Sequence, residues 1–113
     1  DRLGRDLAGR EPRTGLLVLG DGSARRGPKA PGYDDPRAHD VDAVLVRGLT
    51  EGDPEDLRSL DPATAGELLV QGRAALHVLG AAVAHSGCTP EATVLRADDP
   101  WGVLYAVATW SLR

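Results

Sequence analysis

From Gly72 to His85 the chain is apolar nearly all the way round, with Leu76, Leu79 and Val83 on the main stripe of an expected helix. A helix with so little polar surface has to be covered on most of its sides, so the fold must supply layers around it. Gly87 ends this segment and Pro90 prevents its resumption. A second constraint lies near the start. Thr14 to Gly20 is a continuous apolar run bounded by glycines. So short a run, apolar on both faces, predicts a buried strand in a sheet covered on both sides.

The remaining segments are read from their punctuation. Leu3 to Gly9 has the pattern of a helix end with Gly9 as its C-cap, and Asp21 to about Arg37 is a long irregular loop rich in Gly and Pro. A helix is expected from His39 to Leu49. Asp53-Pro54 and Asp61-Pro62 then each place a capping carboxylate before a proline at the first helical position, starting two further helical pieces. After Pro90 the period changes: Glu91–Arg96 and Val103–Leu112 read as the strands of a hairpin about the turn Asp98–Gly102. The order strand, long loop, helices, β-hairpin makes the chain α/β, with part of a mixed sheet flanked by helices. Three strands are marginal alone, so completion is expected from an N-terminal half absent from this sequence, or from another chain. The chain contains no Met and opens in mid-pattern, which adds to the expectation of a segment.

Composition narrows the function classes. Lys and Arg number 13 against 17 Asp and Glu, giving a net charge of −4 and a pI near 5.2, and the only basic cluster is Arg25-Arg26. No footprint for a nucleic acid backbone follows from this. The longest stretch without a charged side chain, Ala74 to Pro90, is too short and too polar to span a membrane, and a cytoplasmic setting is expected. One cysteine, Cys88, excludes an internal disulfide and a thiolate zinc site within the chain. The strong preference for Arg over Lys, with no Ile, Asn or Phe, fits a GC-rich genome and needs no functional reason.

The loop Gly20-Asp21-Gly22-Ser23-Ala24-Arg25-Arg26-Gly27 follows the expected strand, where ligands bind in open α/β sheets. It is neither a phosphate loop nor a nucleophile elbow, because the residues those motifs need are absent. It reads either as a pocket for an anionic or polar ligand, using backbone amides, Ser23 and an arginine, or as a glycine-rich turn with solvated arginines. Gln71-Gly72-Arg73 lies at a helix joint whose amides either face a pocket or merely turn the chain. His39, His77 and His85 lack metal-ligand spacing, and His39 with Asp40 and Asp42 reads as a helix start where carboxylates favour the dipole. Asp34-Asp35 and Asp98-Asp99 each precede a proline and read as turn starts. Cys88 has no histidine partner nearby in sequence, and no catalytic role is assigned to it.

Taken together, the apolar strand running into Gly20-Asp21-Gly22-Ser23, the Gly-Pro…Pro-Gly-Tyr-Asp loop, Glu51-Gly52-Asp53-Pro54-Glu55-Asp56-Leu57, the Asp61-Pro62 helix, the buried helix and the terminal Gly102-Val103-Leu104-Tyr105 hairpin resemble a known layout. It is that of the C-terminal half of the class III extradiol dioxygenases, whose catalytic subunits open catechol rings with non-haem Fe(II), and of the Memo-type proteins that share their fold. The likeness covers essentially all 113 residues and is nearest to uncharacterised actinobacterial members.

The resemblance implies one domain-half over residues 1–113 and a ligand pocket lined by Asp21, Gly22, Ser23, Ala24, Arg25, Gln71 and Gly72. It also exposes two departures. Ala24 stands where the family has its acid/base histidine, and Gln71 where it has a metal-binding Glu or Cys. An alanine moves no proton, and an amide is a poor substitute for a carboxylate at iron. The expectation is a catalytically degenerate, pocket-retaining relative with no catalytic residue, metal or cofactor held by this chain. The alternatives are an active iron enzyme in full-length form and a structural or assembly protein. Expected partners are the N-terminal half, a small anionic or aromatic ligand, and other copies in a homo-oligomer; Arg25 or Arg26 would suit a carboxylate.

Overall fold

The computed structural model describes residues 1–10 and 13–113. Among these, the chain forms five helices and one antiparallel hairpin: α1 (Arg2–Ala8), α2 (Arg37–Glu51), α3 (Pro54–Arg58), α4 (Pro62–Glu67), α5 (Arg73–Ser86), β1 (Pro90–Asp98) and β2 (Tyr105–Leu112). The architecture is mixed α/β, with the C-terminal hairpin packed against helices.

Helix α5 receives the cover its composition demands. Gly80, Ala81, Ala82 and Val83 are buried, and α1 and α3 pack on it. Small residues let these neighbours come close: a Cβ on Gly80 would stand 2.6 Å from the Pro54 carbonyl oxygen. The core continues through Leu45, Leu57, Leu68, Val70 and Leu76, which join α2, α3, the turn after α4, and α5.

Both expected restarts are present. The Asp53 carboxylate accepts the Glu55 N–H at 2.9 Å, and Asp61 accepts the Thr64 N–H at 2.9 Å, each ahead of a proline at the helix start. Helix α2 ends at Gly52, whose φ of 69° is the left-handed C-cap conformation that glycine adopts without strain. The fourth helix ends earlier than its pattern predicts. Leu69 turns left-handed (φ 56°), which sends both Leu68 and Val70 into the core and leaves Leu69 outside. In the hairpin Pro90 faces Leu112, and a bulge at Leu95 shifts the later pairs by one residue. The Trp110 indole N–H donates to the Leu49 carbonyl at 2.9 Å, fastening β2 to the last turn of α2.

The expected first strand is corrected. Among the described residues the sheet has only β1 and β2, and Thr14–Gly20 is irregular. Leu17 and Leu19 are 86% and 75% exposed, while Val18 alone of the three packs on the core. The pattern was that of a strand with neighbours on its edges and faces; no described strand lies beside it, so its ladder has no partner. The ladder-like bonds come later. Gly22 N–H donates to Leu104 O (2.9 Å), Leu104 N–H to Ser23 O (3.0 Å) and Arg26 N–H to Gly102 O (3.0 Å).

At one point the main chain crosses itself with no room for a side chain. Gly20 and Gly72 are in backbone contact, and Gly72 N–H donates to Asp21 O at 2.9 Å. A Cβ on Gly72 would lie 2.6 Å from that same oxygen. Gly72→Ala is therefore expected to destabilise the fold by about 2 kcal/mol in urea titration, as overpacking does. Gly66→Ala, on an open face of α4, is expected to stabilise it by about 0.5–1 kcal/mol.

Candidate functional site

The loop after Gly20 is built around a carboxylate. Asp42 sits on the inner stripe of α2 with Ala38 and Leu45 and is fully buried. It accepts the Ser23 N–H (2.8 Å), the Ser23 hydroxyl (2.5 Å) and the Arg26 guanidinium (3.1 Å). Arg26 also donates to Asp99 at 2.8 Å, in the turn before β2. Burial works against the Arg26 charge, but the hydrogen bonds and charges of Asp99 and Asp42 outweigh it and hold the guanidinium above its usual pKa. Ser23, also fully buried, spends its hydroxyl on Asp42.

Arg25 is engaged too. It donates to the Glu67 carbonyl (3.0 Å) and the Tyr33 carbonyl (3.4 Å), and stands 3.6 Å from Asp35. Ala24 is tied by its backbone, donating to Leu68 O and accepting from Gly32 N–H. Asp21 and Gln71 are exposed beside the Gly20–Gly72 crossing. The structure thus brings Asp21, Gly22, Gln71 and Gly72 to one crossing, while Ser23 and Arg25 point into two separate structural clusters.

A cavity borders that crossing at Gly20. It is an open groove of about 750 Å³ between β2 and residues 13–18, floored by Leu45 and Leu49 of α2 and by Leu76 and Leu79 of α5. Gly20 and Gly22 border it; Asp21, Ser23, Ala24, Arg25, Gln71 and Gly72 do not. Trp110 forms part of its wall, and Arg10 and Arg13 stand at its rim. Its size is within the range of ligand sites.

Sequence reasoning passed over two of these features. Asp42 occupies a stripe position between Ala38 and Leu45, where an apolar residue is expected; that misplacement is the signal of a buried carboxylate. Of the helix-start carboxylates, Asp40 does lie in the first turn of α2, but Asp42 faces inward. The groove had no sequence signal, since its walls come from β2 and residues 13–18 and its floor from α2 and α5.

Among the described residues no three His, Cys, Asp or Glu side chains gather as a metal site. His77 Nε2 lies 2.8 Å from the Asp1 carboxylate. Burial, with the positive charges of Arg73 and Arg58, lowers the His77 pKa. No helix among the described residues is long and apolar enough to cross a membrane. No protein-family model, curated protein or solved structure matches the chain.

Two outcomes follow. Asp42→Asn should destabilise by about 3 kcal/mol, since it leaves a partly buried guanidinium short of its countercharge, whereas Asp99→Asn, open to water, should cost far less. Chemical denaturation of both variants checks the difference. Asp35 is held at about 2, chiefly by hydrogen bonds from the Arg37 side chain and backbone N–H. A carboxylate pKa lowered on folding stabilises above its unfolded value and loses that contribution as pH falls toward 2. NMR titration of Arg37→Ala should return Asp35 toward the ordinary carboxylate range.

Proposed function

We propose that this chain is a binding module on a scaffold resembling the class III extradiol dioxygenases, with a degenerate catalytic site and the apolar groove as its working surface. The carrying observation is the groove: Leu45, Leu49, Leu76 and Leu79 present an aliphatic floor, Leu16 and Val18 line one wall, and Arg10 and Arg13 stand at the mouth. An apolar ligand with an anionic end meets both features. The loop first expected to hold a carboxylate supports this reading by default, because Arg25 and Arg26 are already engaged by Glu67, Tyr33, Asp42 and Asp99.

The family's iron does not fit the residues of this chain. Ala24 offers no donor at all, and Gln71 offers only a neutral amide on an exposed turn. No step through iron is therefore derived. The two-stranded sheet is, on this reading, open to extension by a strand from an N-terminal half or from another chain.

Anilinonaphthalene sulfonate, apolar with one sulfonate, is a direct probe. It should bind saturably at one site to the folded chain, and Ala108→Arg, which places a long charged side chain in the groove, should abolish binding while leaving the near-UV spectrum intact. Absence of saturable binding, or ring opening of a catechol after Fe(II) is added, would overturn the proposal.

A further inference from the structure

Resting on the reading of the groove as the working surface, we propose that its occupant is an extended apolar segment of another polypeptide, flanked by acidic residues, which pairs with the free edge of β2. The first support is that β2 presents its backbone there. Ala108 to Leu112 border the groove consecutively, so side chains from both faces of the strand, and the edge between them, line one wall. β2 pairs only with β1, leaving the N–H and C=O groups of its other edge without a strand partner among the described residues. An open edge of this kind is a template for an added strand.

The opposite wall has the same character. Arg13 to Val18 border the groove consecutively, and no backbone hydrogen bond joins Gly15–Gly20 to another described residue. A strand laid between them would meet unpaired main chain on one side from β2 and on the other from Gly15–Val18. Its side chains pointing inward would meet Leu45, Leu49, Leu76 and Leu79, and their burial would supply the apolar contribution. The outer edge of β1 is also without a strand partner among the described residues, but no β1 residue borders the groove.

Charge selects the flanks. In a chain with 17 acidic residues against 13 basic ones, no described Asp or Glu lines the groove, while Arg10 and Arg13 do. Neither arginine makes an ion pair with a described carboxylate. An acidic residue entering beside them gains a charge-assisted partner, and a basic one meets repulsion. A small amphipathic anion would satisfy the floor and the arginines but would leave both backbone walls unpaired.

The test uses the 113-residue chain and a capped peptide of alternating valine and threonine with a glutamate at each end. The expected results are a shift in Trp110 fluorescence, slowed amide exchange at alternate residues of β2, and loss of binding when alternate peptide amides are N-methylated. A lysine-flanked peptide should bind about tenfold more weakly, the scale of one charged hydrogen bond, and Arg13→Glu should reverse that preference. Equal binding of the N-methylated peptide, or binding of anilinonaphthalene sulfonate without any peptide binding, would overturn the strand assignment and leave the groove reading standing. Self-association that protects the β2 edge without peptide would assign the surface to a second copy instead. Failure of both dye and peptide would remove the groove reading itself.

Discussion

A fully buried carboxylate is stable only if donors replace the water it gives up, and Asp42 takes three from a single loop, one on Oδ1 and two on Oδ2. Ser23 supplies a backbone N–H and a hydroxyl, Arg26 a guanidinium, and Arg26 extends the chain of charge to Asp99. Three regions distant in sequence are held together by this: the glycine-rich loop, helix α2, and the turn that leads into β2. Gly22, pressed between Leu104 and Asp42, allows the loop backbone to lie close enough for the bonds to form. The groove depends on the same arrangement, because α2 provides part of its floor and β2 one of its walls.

Two groups of arginines have different duties. Arg25, Arg26 and Arg37 lie along or just after the long loop and bind it to α4, to the β2 turn and to itself. Arg10 and Arg13 border the groove without a described acidic partner. A polar-ligand site at Arg25 and Arg26 was a reasonable expectation from sequence, since two adjacent guanidiniums after a glycine-rich turn look available. Burial of Asp42 and the reach of Arg25 to the Glu67 carbonyl make them structural. Chemistry that the sequence places in the loop is thus spent inside the fold.

What was legible followed from local signals. Asp53-Pro54 and Asp61-Pro62 announce helix starts because the cap needs only residues within one turn, and the change of period after Pro90 announces the hairpin for the same reason. Helix α5 was legible because its composition permits only a covered position. Thr14–Gly20 was misread as a paired strand because a ladder is a property of two segments, and one of them is missing from its side. Asp42 was half legible: its helix was placed, but its inward position depends on whether a donor set waits opposite, and Ser23 and Arg26 lie 19 and 16 positions away. The groove could not be read at all, since its walls meet only after the helices have packed.

Arg26 and Asp99 are 73 positions apart, and this separation has a consequence for how the chain comes to be folded. The helices between them are joined by short, self-capped connections and are fit to assemble as soon as they leave the ribosome. The glycine-rich loop meets Gly32, Leu68 and Gly72 through its backbone, but completes its bonding only with Gly102 and Leu104, which are made after the helices. During that interval the Ser23 and Gly22 amides have no partner except water and Asp42, and the loop has to close over a long stretch of chain before its bonds repay the ordering. Residues made after the helices therefore complete a loop made before them, and the helical part exists for a time with that loop's bonds to Asp99, Gly102 and Leu104 unmade.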